Sequence, residues 1–158
     1  MEHFLFKQLA FVREQTLKMT EGVTEELADQ IPDGFRNSIR WNLGHIYVVF
    51  ERHAFQYIGL PLHVPEGFKE QFEYGTSPLE KPAGVTVPSL EELKTLLGEQ
   101  HGRIKEALAH RLEEKIDPPY TTSAGMKLET AEQFLTFQLY HEGMHLTAIR
   151  IYKKLLTQ

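Results

Sequence analysis

The sequence of 158 residues contains no cysteine. This absence excludes a disulfide framework, a thiolate metal site and a catalytic thiol belonging to the chain itself. Long apolar runs are also missing, and stretches such as residues 46–50 are far too short to span a bilayer. The first residues show no basic segment followed by an apolar stretch, so no signal peptide is predicted. We therefore expect a cytoplasmic protein with no membrane partner.

Positive charge is scarce. Seventeen lysine and arginine residues stand against 22 aspartate and glutamate residues, which gives a formal net charge of −5. Nucleic-acid affinity comes largely from lysine and arginine, so a nucleic-acid partner is not expected. The hydrophobic fraction of 41% and the charged fraction of 25% are ordinary for a globular protein. The length favours a single domain covering residues 1–158.

Helical periodicity is present in four long segments, and no segment indicates a strand ladder. The first predicted helix has a partly apolar face made of Phe4, Leu5, Gln8, Phe11, Val12 and Gln15. The predicted helices are His3–Met19, Ser38–Tyr57, Ser89–Leu112 and a last one from Thr130 nearly to the C-terminus, with a short turn at Thr24–Gln30. Ser89 and Glu92 have the spacing of a capping box, and Thr130 with Gln133 has a similar pattern.

A long connection, Leu60–Pro88, separates the second and third long helices. This connection is long enough to extend along a whole helix of ~20 residues, which is ~30 Å long. The two helices can therefore run parallel, as in four-helix bundles with a crossover. A short helix is expected within Glu66–Glu73. The predicted fold class is all-α, a four-helix bundle with a long crossover loop between helices two and three.

The last helix contains His141-Glu142-Gly143-Met144-His145, which matches the H-E-x-x-H pattern of zinc peptidases. Residues four apart lie on one helix face, so both histidines can bind one ion. A peptidase takes its third ligand from a downstream segment. Here residues 146–158 contain no His, Asp or Glu. The peptidase interpretation is therefore rejected, and a third ligand must come from upstream.

The second long helix offers that ligand. His45 lies four residues after Trp41 and four before Val49, on the apolar face of its helix. A lone histidine there is more often a core residue than a ligand, but the inward-facing pair His141 and His145 changes the balance. Three buried histidines without partners are costly, and a shared metal ion satisfies all three. Trp41 is expected in the core or in a pocket wall, and Asn42 either supports a ligand or is exposed.

The stretches "NSIRWNLGHIYVV" and "YHEGMHLTAIRIYKKLL" together resemble the DinB/YfiT-like family of small bacterial metal-binding four-helix bundles. The resemblance covers essentially the whole chain. It implies a homodimer that holds a divalent ion, zinc or nickel, in an open site made by His45, His141 and His145. The family motif is often followed by Gly-Gln, whereas this chain has Thr147-Ala148, which implies different substrate contacts.

The other histidines have simpler interpretations. His53 lies eight residues beyond His45, a rise of ~12 Å, which is too far to share the ion. His101 faces inward from the third long helix, and a core role is favoured over a substrate contact or a fourth ligand. Glu142 points about 100° away from His141, so a structural or supporting role is favoured over a general base. His101 and Glu142 are thus weak catalytic candidates. The surface or loop histidines are His3, His63 and His110.

Three imidazole ligands leave a divalent ion its full charge and an open position, which activates water or a thiol. Some members of the resembled family are transferases that use bacillithiol or mycothiol. We therefore expect a metal-dependent enzyme, a low-molecular-weight-thiol S-transferase or a related detoxification activity, acting on a small-molecule electrophile. A metal-dependent hydrolase is the second hypothesis, and a non-catalytic metal-binding stress-response protein is the third. All-imidazole sites suit zinc, nickel, copper and iron, so the metal stays open.

Overall fold

The computed structural model describes residues 2–158. These residues form six α-helices and one two-stranded sheet, so the fold is mainly helical. The helices are α1 (Phe4–Met19), α2 (Glu25–Asp29), α3 (Ile39–Ala54), α4 (Phe68–Phe72), α5 (Leu90–Leu108) and α6 (Ala131–Leu156). The strands are β1 (Lys115–Thr121) and β2 (Lys127–Thr130), and 3-10 turns cover Gln56–Ile58 and Pro78–Glu80. Between residues 2 and 158, no helix is long and apolar enough to cross a membrane.

The four long helices of the prediction are confirmed as α1, α3, α5 and α6, and their starts follow the predicted capping residues. Ser89 Oγ accepts a hydrogen bond from the Glu92 amide, and the Glu92 carboxylate accepts one from the Ser89 amide. This reciprocal pair is the predicted capping box. Thr130 caps α6 through the Gln133 amide, whereas the Gln133 side chain accepts from the amide of Glu129.

The buried face of α1 differs from the predicted one. Phe4 and Phe11 are exposed to 68% and 61%, so the predicted apolar face is wrong at these positions. The residues of α1 that are buried are Leu5, Phe6, Leu9, Arg13 and Thr16. Two polar side chains therefore occupy core positions while two phenylalanines face outward. Apolar periodicity points to the wrong face of this helix for that reason.

The prediction that the chain has no strands is wrong between α5 and α6. Strands β1 and β2 pair antiparallel with Tyr120 opposite Leu128, and the register is irregular between Lys115 and Tyr120. Only Ile116 and Leu128 of these strands are buried, and both pack on Phe134 of α6. A strand with one buried residue and two prolines gives no clear period-two signal.

Helix α3 is the most enclosed element, with every residue except Arg52 buried. It contacts α6 and α5, and α6 also contacts α1. The connection between α3 and α5 carries α4, which packs on α3 and buries Phe68 and Phe72. Helix α4 confirms the short helix expected within Glu66–Glu73, whereas the four-helix-bundle topology with a crossover stays a prediction. The close pairing of α3 with α6 determines where the histidines meet.

Candidate metal centre

The three predicted ligands come together where α3 meets α6. Ring nitrogens of His45, His141 and His145 all lie within 4.8 Å of one another. His45 comes from α3, and the other two come from successive turns of α6. His45 and His141 are buried and His145 is half-buried. Within residues 2–158, no Asp, Glu or fourth His belongs to this group.

His45 is held in one tautomer by a backbone carbonyl. Its Nδ1–H donates a 2.6 Å hydrogen bond to the carbonyl oxygen of Phe72, at the end of α4. The Nε2 atom therefore carries a lone pair, which is the form that binds a metal ion. Trp41 stacks on the imidazole, with ring centroids 4.5 Å apart and planes 12° apart. Trp41 is in turn fixed by a hydrogen bond from its Nε1 to Thr76 Oγ1.

His145 is oriented by an amide side chain. Its Nδ1–H donates to Oδ1 of Asn42 over 2.8 Å, and Asn42 Nδ2 donates to the carbonyl oxygen of Ser38. The second bond determines which way the amide points, so that its oxygen faces the imidazole. Asn42 is buried and is an acceptor in this pair, whereas the sequence left it as a supporting or an exposed residue. The Nε2 atom of His145 is thereby left free to bind a cation.

His141 completes the group from the centre of α6. Its Nε2 lies 3.3 Å from Nε2 of His45. Two nitrogen ligands, each ~2.0–2.1 Å from one tetrahedral ion, lie ~3.3 Å apart. The Nδ1 atom of His141 is buried and has no hydrogen-bond partner in the described part of the chain. The separation of the two Nε2 atoms thus fits two ligands of a single ion.

A glycine makes room for the carbonyl that holds His45. Gly44 lies next to His45 in α3, and a Cβ atom added there would come within 2.4 Å of the Phe72 ring. Glycine inside a helix is unfavourable by ~1 kcal/mol relative to alanine. Here the missing side chain allows α4 to approach α3 closely. The position of the Phe72 carbonyl, and with it the His45 tautomer, depends on this contact.

Burial keeps all three imidazoles in their neutral form. Loss of solvation lowers the pKa of His141 to about 2, and the neighbouring His145 and His45 lower it further. Burial, followed by the effect of His45, lowers the pKa of His145 to about 4. Burial also lowers the pKa of His45, against the opposing effect of the Phe72 carbonyl. A neutral imidazole is the metal-binding form, so the group is ready to bind an ion at neutral pH.

Glu142 lies outside the histidine group and faces α1. Its carboxylate accepts hydrogen bonds from Nε and Nη2 of Arg13 over 2.8 and 3.0 Å, and from Thr16 Oγ1 over 2.8 Å. Arg13 Nη1 also donates to the carbonyl oxygen of Leu97. The three residues are buried. Glu142 therefore joins α6 to α1, which places it in a structural role rather than beside the imidazoles.

The remaining histidines lie apart from the group. His101 is half-buried on α5, and burial, followed by the charge of Arg13, lowers its pKa. His53 is buried on α3 and is hydrogen-bonded to Gln138 of α6. Its pKa is lowered to about 3, chiefly by burial. The histidines expected on the surface or in loops are indeed exposed: His3, His63 and His110.

The donor set fits a divalent cation. Three neutral nitrogen donors converge, two of them with tautomers fixed by Phe72 and Asn42. Catalytic zinc sites commonly take three protein ligands, whereas structural sites take four. Nitrogen donors of this kind accept several transition metals, so the identity of the ion stays open. A mainly helical fold with such a group fits a helical metal-binding protein.

Comparisons with known proteins identify the family. A model of the DinB superfamily matches residues 8–149, and the chain belongs to this superfamily. The fold is similar to a crystal structure described as the conserved protein of locus from Enterococcus faecalis. That similarity has a TM-score of 0.71 at 16% sequence identity, and it covers 99% of this chain and 97% of the other. A search of curated proteins finds no match.

Proposed function

We propose that this protein is a metal-dependent enzyme, and specifically an S-transferase that uses a low-molecular-weight thiol. One observation carries the proposal: His45 and His141 line a cavity of about 330 Å³ as well as belonging to the three-histidine group. A group of donors that faces a cavity can meet a ligand, whereas a purely structural ion is normally closed off by a fourth protein ligand.

The ligands in this proposal are His45, His141 and His145, and zinc or nickel is the proposed ion. A divalent ion held by three neutral imidazoles lowers the pKa of a thiol or water molecule that binds it. The chain contributes the orientation of the donors. The Phe72 carbonyl and Asn42 keep His45 and His145 in tautomers whose Nε2 atoms face the site. Stacking of Trp41 keeps the His45 ring in its plane.

The co-substrates follow from the composition and from the family. The chain has no cysteine, so a reacting thiol has to come from a small molecule such as bacillithiol or mycothiol. The thiol sulfur forms a bond to a carbon of the electrophile, the bond to the leaving group breaks, and the thiol proton is released. Superfamily membership also supports a homodimeric four-helix bundle with a crossover, acting in the cytoplasm; these are parts of the same proposal.

The proposal is tested by incubating zinc- or nickel-loaded protein with bacillithiol and monochlorobimane, whose chloride is displaced by a thiol. We expect fluorescence to increase faster than the uncatalysed background, and we expect His141→Ala to abolish the difference. His110→Ala, which changes an exposed histidine, is the matched control and should behave as wild type. Equal rates for wild type and His141→Ala across several thiols would end the transferase proposal.

The same preparation separates the two other hypotheses. A metal-dependent hydrolase should turn over an ester or an amide with no thiol present, and this activity should also be lost in His141→Ala. A non-catalytic metal-binding stress-response protein should show neither reaction, even though it retains its metal.

A further inference from the structure

The cavity beside the histidine group continues along α3 and α6 to His53, a buried histidine outside the group. His45 and His141 line one part of it, and His53 lines another. The volume of about 330 Å³ is in the range of small-molecule sites, which are ~300–1,000 Å³. We call this space the aromatic pocket, defined by His53 and four aromatic residues of its lining: Tyr57, Tyr120, Phe137 and Tyr140.

Aromatic rings enclose His53 on several sides. The ring centroid of His53 is 5.8 Å from that of Tyr57, 5.7 Å from Tyr120 and 5.9 Å from Phe137. Tyr57 and Tyr120 are 4.6 Å apart, and Phe137 and Tyr140 are 5.6 Å apart. These rings come from three different parts of the chain: the turn after α3, strand β1 and helix α6. Such walls favour a flat ring that can pack against them at similar distances.

His53 supplies a polar group within these walls. Gln138 Nε2 donates a hydrogen bond to His53 Nδ1, so the ring proton is on Nε2. Burial keeps this imidazole neutral, because it lowers the pKa of His53 to about 3. The Nε2–H group makes no hydrogen bond within residues 2–158, although His53 lines the pocket. It is therefore an oriented donor for an acceptor atom of a ligand.

Formal charge in the lining is balanced. Arg52 and Glu73 are its two charged residues, and they form an ion pair with each other. His53 is neutral, for the reason given above. A ring that lies against the aromatic walls, away from the proposed ion, therefore meets no unpaired charge.

We propose that the aromatic pocket binds the organic co-substrate, and that this co-substrate is a planar aromatic compound carrying a hydrogen-bond acceptor. The ring packs between Tyr57, Tyr120 and Phe137, and the acceptor meets His53 Nε2–H. His53 and Gln138 are positioning residues that orient the ligand towards the histidine group. The inference rests on the proposed function, since it names the class of electrophile.

Binding to the zinc-loaded full chain tests the proposal without any turnover, through amide chemical shifts measured by NMR. The probes are coumarin, which is a planar ring with a carbonyl acceptor, and δ-valerolactone, which keeps the carbonyl acceptor but lacks the aromatic ring. We expect saturable coumarin binding with shifts at Tyr120 and Phe137. The lactone should bind at least ~10-fold more weakly, because it lacks the ring that packs on the aromatic walls.

Variants test the individual contacts. His53→Leu removes the donor and should weaken coumarin binding ~3- to 10-fold, the usual effect of one hydrogen bond. His53→Gln keeps an N–H group and should lose less affinity. Tyr120→Leu should weaken binding ~5-fold through loss of ring packing. His110→Leu, at an exposed histidine, should leave the affinity unchanged. Thermal unfolding checks that each variant folds, and Tyr120→Leu tests the pocket independently if His53→Leu does not fold.

Three results would overturn the pocket proposal: no saturable binding of coumarin, equal binding of coumarin and the lactone, or unchanged affinity in the folded His53 and Tyr120 variants. These outcomes are distinct from failure of the proposed function. Selective coumarin binding without thiol conjugation would overturn only the transferase activity. Thiol conjugation without selective coumarin binding would overturn only the pocket.

Discussion

The carboxylate of Glu142 and the guanidinium of Arg13 form two parallel hydrogen bonds, of 2.8 and 3.0 Å, in the buried contact between α6 and α1. Paired bonds of this geometry are among the strongest that charged side chains make. Glu142 directly follows His141, so the ion pair holds the α6 turn from which the central imidazole projects. In a zinc peptidase the glutamate of H-E-x-x-H is the general base. Here its carboxylate is hydrogen-bonded to Arg13 instead.

Replacing Glu142 should therefore affect folding more than metal binding. Glu142→Gln leaves Arg13 buried without a full counter-charge, and breaking a buried pair typically costs ~3–5 kcal/mol. We expect urea denaturation to show a loss of this order, with metal content maintained in the folded protein. Glu132→Gln, at a half-exposed glutamate of the same helix, is the matched control. Unchanged stability, or loss of the metal from folded Glu142→Gln, would contradict the structural role.

Gly44 should be required at its position in α3. Gly44→Ala places a methyl group against the Phe72 ring and moves the carbonyl that holds His45. We expect lower stability and ~10-fold weaker zinc binding, measured by calorimetric titration, since second-shell changes typically cost 10- to 100-fold in affinity. Gly98→Ala in α5 is the control, because an added Cβ there meets nothing within 4 Å.

The two glycine variants should move stability in opposite directions. Gly98→Ala should be neutral or stabilising by up to ~1 kcal/mol, as helix propensity predicts for an open position. If Gly44→Ala also stabilised the protein and kept its zinc affinity, the close approach of α4 would have no role in the site.

The metal-free protein should lose stability on acidification. The pKa values of His141 and His145 are lowered to about 2 and about 4, and that of His53 to about 3, whereas unfolded histidine has a pKa of ~6.5. Below pH ~6.5 the unfolded chain takes up protons that the folded chain does not, so stability falls as pH falls. Each group adds a slope of up to ~1.4 kcal/mol per pH unit until its folded pKa is reached.

Urea denaturation of the metal-free protein between pH 7.5 and 4.5 measures this effect. We expect the free energy of unfolding to be highest near neutral pH and to decline below ~6.5. His145→Leu should show a shallower decline, because it removes one of these groups. Protons compete with the ion only where the folded imidazoles take them up, so bound metal should be released well below pH ~6.5, towards the pKa of about 4 of His145. A flat stability profile would mean that the buried histidines do not resist protonation.

Metal content should depend on the three proposed ligands. We expect His45→Ala, His141→Ala and His145→Ala each to lose most of the bound metal, because each removes one of three donors. His53→Ala should keep its metal, since His53 is not part of the group. Elemental analysis of the purified variants measures this. Full retention in any one of the three ligand variants would remove that residue from the proposed site.

Much of this site could be predicted from the sequence, because helical periodicity places each of its three histidines on an inward-facing position. His141 and His145 are four residues apart on one helix, and His45 lies on the apolar face of another. Contacts made by backbone atoms could not be predicted. The Phe72 carbonyl that orients His45 lies 27 residues away, in the short helix α4 of the long connection. Every residue has a backbone carbonyl, so the residue type does not show which one will make such a contact.

The missed parts of the fold have a similar cause. Arg13 and Thr16 occupy core positions of α1 because they pair with Glu142, and their polarity conceals the buried face. The partnership of His53 with Gln138 joins residues 85 apart in sequence, so only tertiary structure reveals it. The β-hairpin after α5 escaped prediction because one side chain in each strand is buried.

The central claim is that one divalent ion binds between α3 and α6, and anomalous X-ray diffraction from zinc- or nickel-loaded crystals tests it most directly. The account predicts a single anomalous peak per chain, ~2.0–2.1 Å from a ring nitrogen of each of His45, His141 and His145. A peak held by other residues, or no peak at the three histidines in fully loaded crystals, would contradict the account.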